Sequence, residues 1–310
     1  MKTIISLVVL VVAGLACSSE PTITKDMLDG GTLFDPSLYN PGKYLVSKAT
    51  PNPTAEQARK PVIIACHGYS ATTFEWDEFR TWANGRTDFQ LSQVLLGGHG
   101  RSYEDFKKST WQDWQLAIKD EYEQLVKAGY TNISLLGSST SGALLLELVS
   151  SGYFNNRLVP RNLLLVDPIV IPSDKTLSLI GVVGPMLGYI ETEQSAEEDK
   201  VYYHFRPQET LQQLQKLLTV VRQDLESGIR IPPACTLKVY KSKKDPTADP
   251  VSAVLIDKGT KTADGKPIDV ALIDSDLHVY TRLTLRSQVT PKDQQNQTET
   301  FADIVGRVVR

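Results

Sequence analysis

An apolar run, Ile133-Ser134-Leu135-Leu136, passes through a cluster of small residues, Gly137-Ser138-Ser139-Thr140-Ser141-Gly142, directly into a second apolar run, Ala143-Leu144-Leu145-Leu146. A strand that turns at once into a helix pushes one side chain into a strained, exposed position. The residues two places to either side must then be small, or the two backbones collide. Gly137 and Ser141 hold those places about Ser139. The pattern is G-x-S-x-G with Ser141 in the second glycine position and Gly142 one place later. Taking Ser141 as the exposed residue instead would put Ser139 and Ala143 at the small positions, which is sterically possible. Ser139 is preferred because Gly137 then follows the strand directly, where the close approach is needed. A strand, a Ser/Gly loop and a helix with no chemistry would use the same residues.

The rest of the chain has to supply a sheet in which such a turn can sit. Residues 61–66 form a continuous apolar run, and residues 91–96, the run ahead of Gly137 and residues 162–167 read as further short buried strands. Such runs suit parallel strands covered on both faces by helices. A helical pattern fills residues 111–126 and stops at Gly129-Tyr130. Strand character returns at residues 235–242 and 268–273, and a closing helix is expected over residues 301–309. Strands alternating with helices imply a doubly wound, mostly parallel sheet with ligands at the carboxyl ends of its strands. Residues 43–49 could add an edge strand. The alternation breaks between residues 171 and 230, where a glycine-interrupted apolar stretch, an acidic patch (residues 191–199) and an amphipathic helix (residues 209–225) read as an inserted helical cap. The expected core is therefore residues 43–170 and 231–310, and the cap residues 171–230. Leu211, Leu214, Leu217, Leu218 and Val221 share one face of the amphipathic helix. They suit an apolar acyl pocket, although most must simply pack on the core.

A chain of 310 residues with 41% hydrophobic content can bury a full core, and its net charge of −3 supplies no basic field, so nucleic acid is excluded as a partner. Residues 1–16 read as an export signal: Lys2 gives the positive end, and the apolar run after it is short for a membrane span. Gly14-Leu15-Ala16-Cys17 resembles a bacterial lipobox, with Gly14 where leucine is commonest. Cys17 would then be lipidated, residues 17–42 would form a tether, and the protein would be held to a membrane of the cell envelope. The lack of an acidic residue directly after Cys17 points to the outer membrane. An ordinary signal peptide cleaved nearby is the alternative. The export route permits a disulfide between Cys66 and Cys235, but both flank β-rich runs, where unbridged cysteines pack as small hydrophobes.

A serine hydroxyl is a poor nucleophile until a base takes its proton. The chain has four histidines. His67 and His99 lie in glycine turns ahead of Ser139, where His67 reads as stabilising its turn, and His204 lies in the expected cap. His278, in the loop after the last strand, remains as the base. Its imidazole needs a carboxylate to fix the tautomer. Lys241-Ser242-Lys243-Lys244-Asp245-Pro246 follows a strand, so Asp245 is the choice. Asp249 reads better as a helix cap before Pro250, and Asp167 is a less favoured substitute. Ser139, Asp245 and His278 keep the chain order nucleophile, acid, base. The backbone N–H groups of Tyr69, after the His67-Gly68 turn, and of Thr140 are the candidate oxyanion donors. No metal-ligand spacing or dinucleotide loop is present, so neither a metal nor a cofactor is expected.

His67-Gly68-Tyr69, Gly97-Gly98-His99-Gly100 with Thr110-Trp111-Gln112-Asp113-Trp114, the Ser139 turn, Asp245-Pro246 and His278-Val279 together resemble the carboxylesterase and monoacylglycerol lipase group of bacterial α/β-hydrolases. The resemblance spans roughly residues 60–285. Two positions depart from it: Gly97 stands where proline is usual and Ser141 where glycine is. It implies an α/β-hydrolase fold, carboxylic esters with an apolar acyl part (short- to medium-chain esters or monoacylglycerols) as substrates, and no cofactor. A peptidase of the same fold would share these groups and use the cap to bind a peptide N-terminus, and a non-catalytic surface lipoprotein would keep the fold for binding. An aspartate nucleophile, as in dehalogenases and epoxide hydrolases, is disfavoured by the serine.

Overall fold

The structure, a computed structural model, describes residues 20–22, 52–174 and 188–310. The expected export signal, Cys17, most of the tether and the expected strand at residues 43–49 lie outside the described residues, as does most of the glycine-interrupted stretch after residue 174.

Six strands form the central sheet: β1 (Val62–Cys66), β2 (Gln90–Val94), β3 (Ile133–Ser138), β4 (Asn162–Val166), β8 (Thr236–Ser242) and β10 (Asp269–Ile273). Between β4 and β8 lie β5 (Tyr189–Glu191), β6 (Phe205–Pro207) and the two-residue β7 (Ile229–Arg230), and β9 (Thr260–Lys261) precedes β10. The sheet order is β10-β8-β4-β3-β1-β2, and every neighbouring pair runs parallel. The apolar runs are continuous because both faces are covered. Val62, Ile64 and Cys66 of β1, with Leu135, Leu163, Leu165 and Val239, face one layer, which holds the helices Trp111–Lys127, Thr140–Ser150, Gln208–Ser227 and Val251–Gly259. Ile63 and Ala65, with Leu136, Leu164, Val166 and Tyr240, face Trp76, Phe79 and the C-terminal helix. Each fully buried large apolar side chain in these layers contributes roughly 1.5–3 kcal/mol.

The C-terminal helix spans Pro291–Val308, ten residues longer at its start than the apolar pattern indicates. Its first half is polar and so hides from hydrophobic periodicity. Thr290 and Asp293 form a capping box and Pro291 occupies the first turn, which fixes the start there. Cys66 is buried in β1 and Cys235 is partly buried, and no disulfide joins them.

The segment expected as a cap holds, among the described residues, the antiparallel ribbon β5-β6 and the helix Gln208–Ser227. Leu214, Leu217, Leu218, Val221 and Leu225 of that helix belong to the main core. The helix thus closes the sheet on one side and carries the ribbon across the carboxyl ends of the strands. His204 fastens the ribbon: its Nδ1 lies 2.8 Å from Asp199 and its Nε2 3.0 Å from Glu191. Burial opposes charge on His204, but the two carboxylates outweigh it and raise the imidazole above its ordinary value.

Candidate active site

Ser139 ends β3 at φ 49°, the only residue between the strand and the helix Thr140–Ser150. A serine in the left-handed region is strained and persists only where its surroundings fix it. Gly137 and Gly142 make the turn possible. A Cβ on Gly137 would come within 2.9 Å of Leu145 Cδ1, and one on Gly142 within 2.6 Å of Pro168 Cβ. Ser141 is fully buried, and its hydroxyl donates to the His67 carbonyl. Ser139, by contrast, lines a cavity of about 500 Å³. Of the two serines that the spacing left open, the structure turns Ser139 to the cavity.

The other two expected side chains come to it from separate strand ends. His278 Nε2 lies 2.9 Å from Ser139 Oγ, and His278 Nδ1 lies 2.8 Å from Asp245 Oδ2. Asp245 follows β8, and its second oxygen accepts the N–H groups of Thr247 at 2.8 Å and Ala248 at 2.9 Å. Burial would raise the Asp245 carboxyl, but the His278 hydrogen bond and charge, with Lys241, outweigh it and hold the group at about 2. It is therefore an anion under any ordinary condition.

Gly68, Tyr69 and Thr140 also line the cavity. Thr140 is the first residue of its helix, so its N–H is one that a helix cannot satisfy internally, and the helix dipole favours negative charge beside it. The Gly68 turn is held from behind. Glu75 Oε1 accepts the Gly68 N–H at 2.9 Å and the Ser138 hydroxyl. A Cβ on Gly68 would lie 3.1 Å from Ser139 Cβ, so glycine lets the loop close on the serine. His67 donates from Nδ1 to the Gly68 carbonyl at 2.8 Å and accepts the Leu96 N–H at Nε2, 3.1 Å away. Burial lowers it to about 4, so it stays neutral, in the structural role its sequence position suggests. Asp249 accepts the N–H of Val251 at 2.8 Å, at the start of the helix Val251–Gly259.

Several side chains around this arrangement escape sequence reasoning. Lys241 is fully buried. Its Nζ lies 3.1 Å from Asp167 Oδ1 and also donates to Asp245 Oδ2, the oxygen facing His278. Asp167, the substitute acid of the sequence reading, is engaged elsewhere. It accepts the N–H of Ser242 at 2.7 Å, the Ser242 hydroxyl at 3.1 Å and the N–H of Tyr280 at 3.3 Å. Ligand atoms of Asp167, Asp245 and His278 lie within 4.8 Å of one another, and the ammonium of Lys241 supplies the positive charge between the carboxylates. Arg206, Arg282 and Arg286 line the cavity wall.

The chain superposes on a structure of the metagenome-derived lipolytic enzymes LipS and LipT with a TM-score of 0.62 at 17% identity, covering 80% of this chain and 94% of that one. The chain has the α/β-hydrolase fold. In sequence, the chain is 26% identical to a carboxylesterase of Bacillus subtilis (strain 168) over 183 residues, 57% of this chain and 71% of that protein. It is 23% identical to a thermostable monoacylglycerol lipase of Bacillus sp. (strain H-257) over 220 residues, 71% of this chain and 83% of that one. No protein-family profile matches it.

Proposed function

We propose that the protein is a serine hydrolase of carboxylic esters, acting on short- to medium-chain acyl esters or monoacylglycerols through an acyl-enzyme. The observation that carries this is the line of three groups: Ser139 Oγ, 2.9 Å from His278 Nε2, whose other nitrogen is 2.8 Å from Asp245. The names of the sequence relatives agree with it. Ser139 Oγ attacks the carbonyl carbon while His278 Nε2 takes the hydroxyl proton, and the carbonyl electron pair moves onto oxygen beside the Tyr69 and Thr140 N–H groups. Collapse of this intermediate breaks the bond to the alcohol, which leaves with the proton from the imidazolium. Water then repeats the sequence on the acyl-enzyme, releasing the acid and restoring Ser139. Asp245 fixes the imidazole tautomer and stabilises its charged form. Ile169, Leu211 and Leu214 give the cavity an apolar wall for an acyl chain.

The test is hydrolysis of nitrophenyl esters from acetyl to palmitoyl by the protein lacking residues 1–17. Ser139→Ala should lower turnover by about a million-fold and abolish labelling by a fluorophosphonate. Unchanged turnover in that variant would end the proposal. The sequence of the N-terminus supports a second, separable proposal: that lipid on Cys17 holds the enzyme to a membrane of the bacterial envelope, the outer membrane by the sorting residue. Cys17→Ser should then move the protein to the soluble fraction.

A further inference from the structure

The cavity in front of Ser139 has charged groups in its wall, and all but one of those inside it have partners. Glu75 is bound by Gly68 N–H and the Ser138 hydroxyl. Arg282 donates to the Thr284 carbonyl at 2.8 Å and lies over the Tyr202 ring, 5.1 Å from its centroid. Arg286 donates to the carbonyls of Arg282, at 3.2 Å, and of His278. At the rim Asp174 and Glu193 are exposed, and Glu198 accepts from Ser195. Arg206 is different. It projects from β6, the ribbon strand laid across the site; like Arg282 and Arg286 it makes no ion pair among the described residues, but of the three it alone has a buried N–H, its Nε, without a hydrogen-bond partner. Thr140, Thr192 and Tyr202, which line the same cavity, each carry a buried hydroxyl without a partner. Glu209, three residues along, lines a separate cleft with Lys107 and Lys108.

Arg206 is partly exposed as a residue, but its Nε is buried, and a buried N–H of a charged group left without an acceptor is costly. Burial lowers Arg206 from its ordinary value, as that cost requires. The fork of N–H donors on arginine matches a carboxylate or phosphate in two parallel hydrogen bonds. We infer that Arg206 is the anion-binding residue of the substrate cavity, and that the preferred ester carries a carboxylate or phosphate at the end remote from the scissile bond. This rests on the reading of Ser139 as the nucleophile facing the same cavity. The net charge of −3 repels anions at long range, so any preference for them has to come from the cavity itself.

Two matched substrate pairs test it. Mono-4-nitrophenyl adipate against its methyl ester places the anion on the acyl side, and 1-octanoylglycerol 3-phosphate against 1-octanoylglycerol places it on the alcohol side. In at least one pair the wild-type protein should favour the anionic member in kcat/KM by about ten- to a hundredfold, the range of a hydrogen bond to a charged group. Arg206→Met should bring that ratio to about one or below, and Arg206→Lys should keep part of it, since the charge survives without the fork. Because each ratio is taken on one protein preparation, partial misfolding of a variant cancels. A wild-type ratio of one or less in both pairs, or a ratio unchanged in Arg206→Met, overturns the inference. Should no ester be turned over, the hydrolase reading fails by itself. The anion site is then decided by thermal shift with monomethyl adipate against dimethyl adipate on Ser139→Ala. A shift with the anion alone that Arg206→Met removes supports the site, and equal shifts reject it.

Discussion

Lys241 Nζ lies 3.1 Å from Asp167 Oδ1, with both side chains fully buried, and the same ammonium reaches the carboxylate that faces His278. The lysine stands between two anions brought together by neighbouring strands: Asp167 directly follows β4 and Asp245 follows β8, and the Asp167 N–H bonds to Tyr240 of β8. Without the cation the two carboxylates would repel each other in a medium of low dielectric constant. It keeps Asp245 ionised and fixes its orientation toward the imidazole.

Lys241→Met should therefore destabilise the fold by about 3–5 kcal/mol, the usual cost of breaking a buried ion pair on one side. Adding Asp167→Asn to that variant should recover part of the loss, because one of the two facing carboxylate charges is removed, although the amide keeps an oxygen for only one of the Ser242 and Tyr280 N–H groups. Urea unfolding of the four proteins in the cycle measures the coupling. A double variant as unstable as the sum of the single changes would show the two residues to be independent.

Acid should weaken the site through Asp245. Its carboxyl sits at about 2 in the folded protein against 3.8 for the free side chain, so between these values the unfolded chain binds more protons than the folded one. The stability contributed is complete above about pH 4 and is lost as pH falls toward about 2, on the order of 1–2 kcal/mol. Asp245→Asn should lose stability near neutrality yet fall less steeply than wild type across that window, as followed by unfolding midpoints. Parallel curves would disconnect Asp245 from the acid response.

A second, earlier window comes from His67. Burial holds it at about 4 against 6.5 for the free imidazole, so the unfolded chain takes up its proton first. Stability from this residue is complete above pH 6.5 and declines as pH drops toward 4, by an amount on the order of 3 kcal/mol. His99, edge-on to His67 at 5.2 Å between ring centroids, is lowered in the same direction by burial and then by His67. His67→Gln should flatten the slope of stability against pH between these limits. An unaltered slope would place the acid sensitivity elsewhere.

The sheet was legible where a parallel strand buried on both faces leaves a mainly apolar run, as in β1, β3 and β4, whereas β8 carries Lys238 and Lys241 and the edge strand β10 is partly exposed. The C-terminal helix was half hidden because Lys292, Gln294, Gln295 and Thr298 are exposed, although Thr290, Pro291 and Asp293 mark its start. Ser139, Asp245 and His278 could be picked out because Ser139 directly follows β3 and the other two lie in the loops after β8 and β10, and strand ends converge on one edge of such a sheet. The second layer could not. Lys241 sits in a lysine-rich stretch with Lys238, Lys243 and Lys244, and only the pairing of β4 with β8 reveals that Asp167 is its partner. Arg206 was likewise one more charge on a polar stretch until β6 was laid over the cavity.

The three serines at the turn, Ser138, Ser139 and Ser141, have separate tasks, and that separation can be measured. Ser138 donates its hydroxyl to Glu75 and Ser141 donates to the His67 carbonyl, both inside the protein, while Ser139 alone of the three faces His278 Nε2. Ser141→Ala removes one buried donor and leaves the His67 carbonyl short of a partner, so stability should drop by about 1–3 kcal/mol. Ser139 and His278, the proposed nucleophile and base, are untouched, so kcat for nitrophenyl esters should remain within about tenfold of wild type, against a loss of about a million-fold in Ser139→Ala. If instead Ser141→Ala lost fluorophosphonate labelling and Ser139→Ala kept it, the nucleophile would be the other serine. Gly137 would then no longer sit two residues before it, and the close packing of Gly137 against Ser141 and Leu145 would need another explanation.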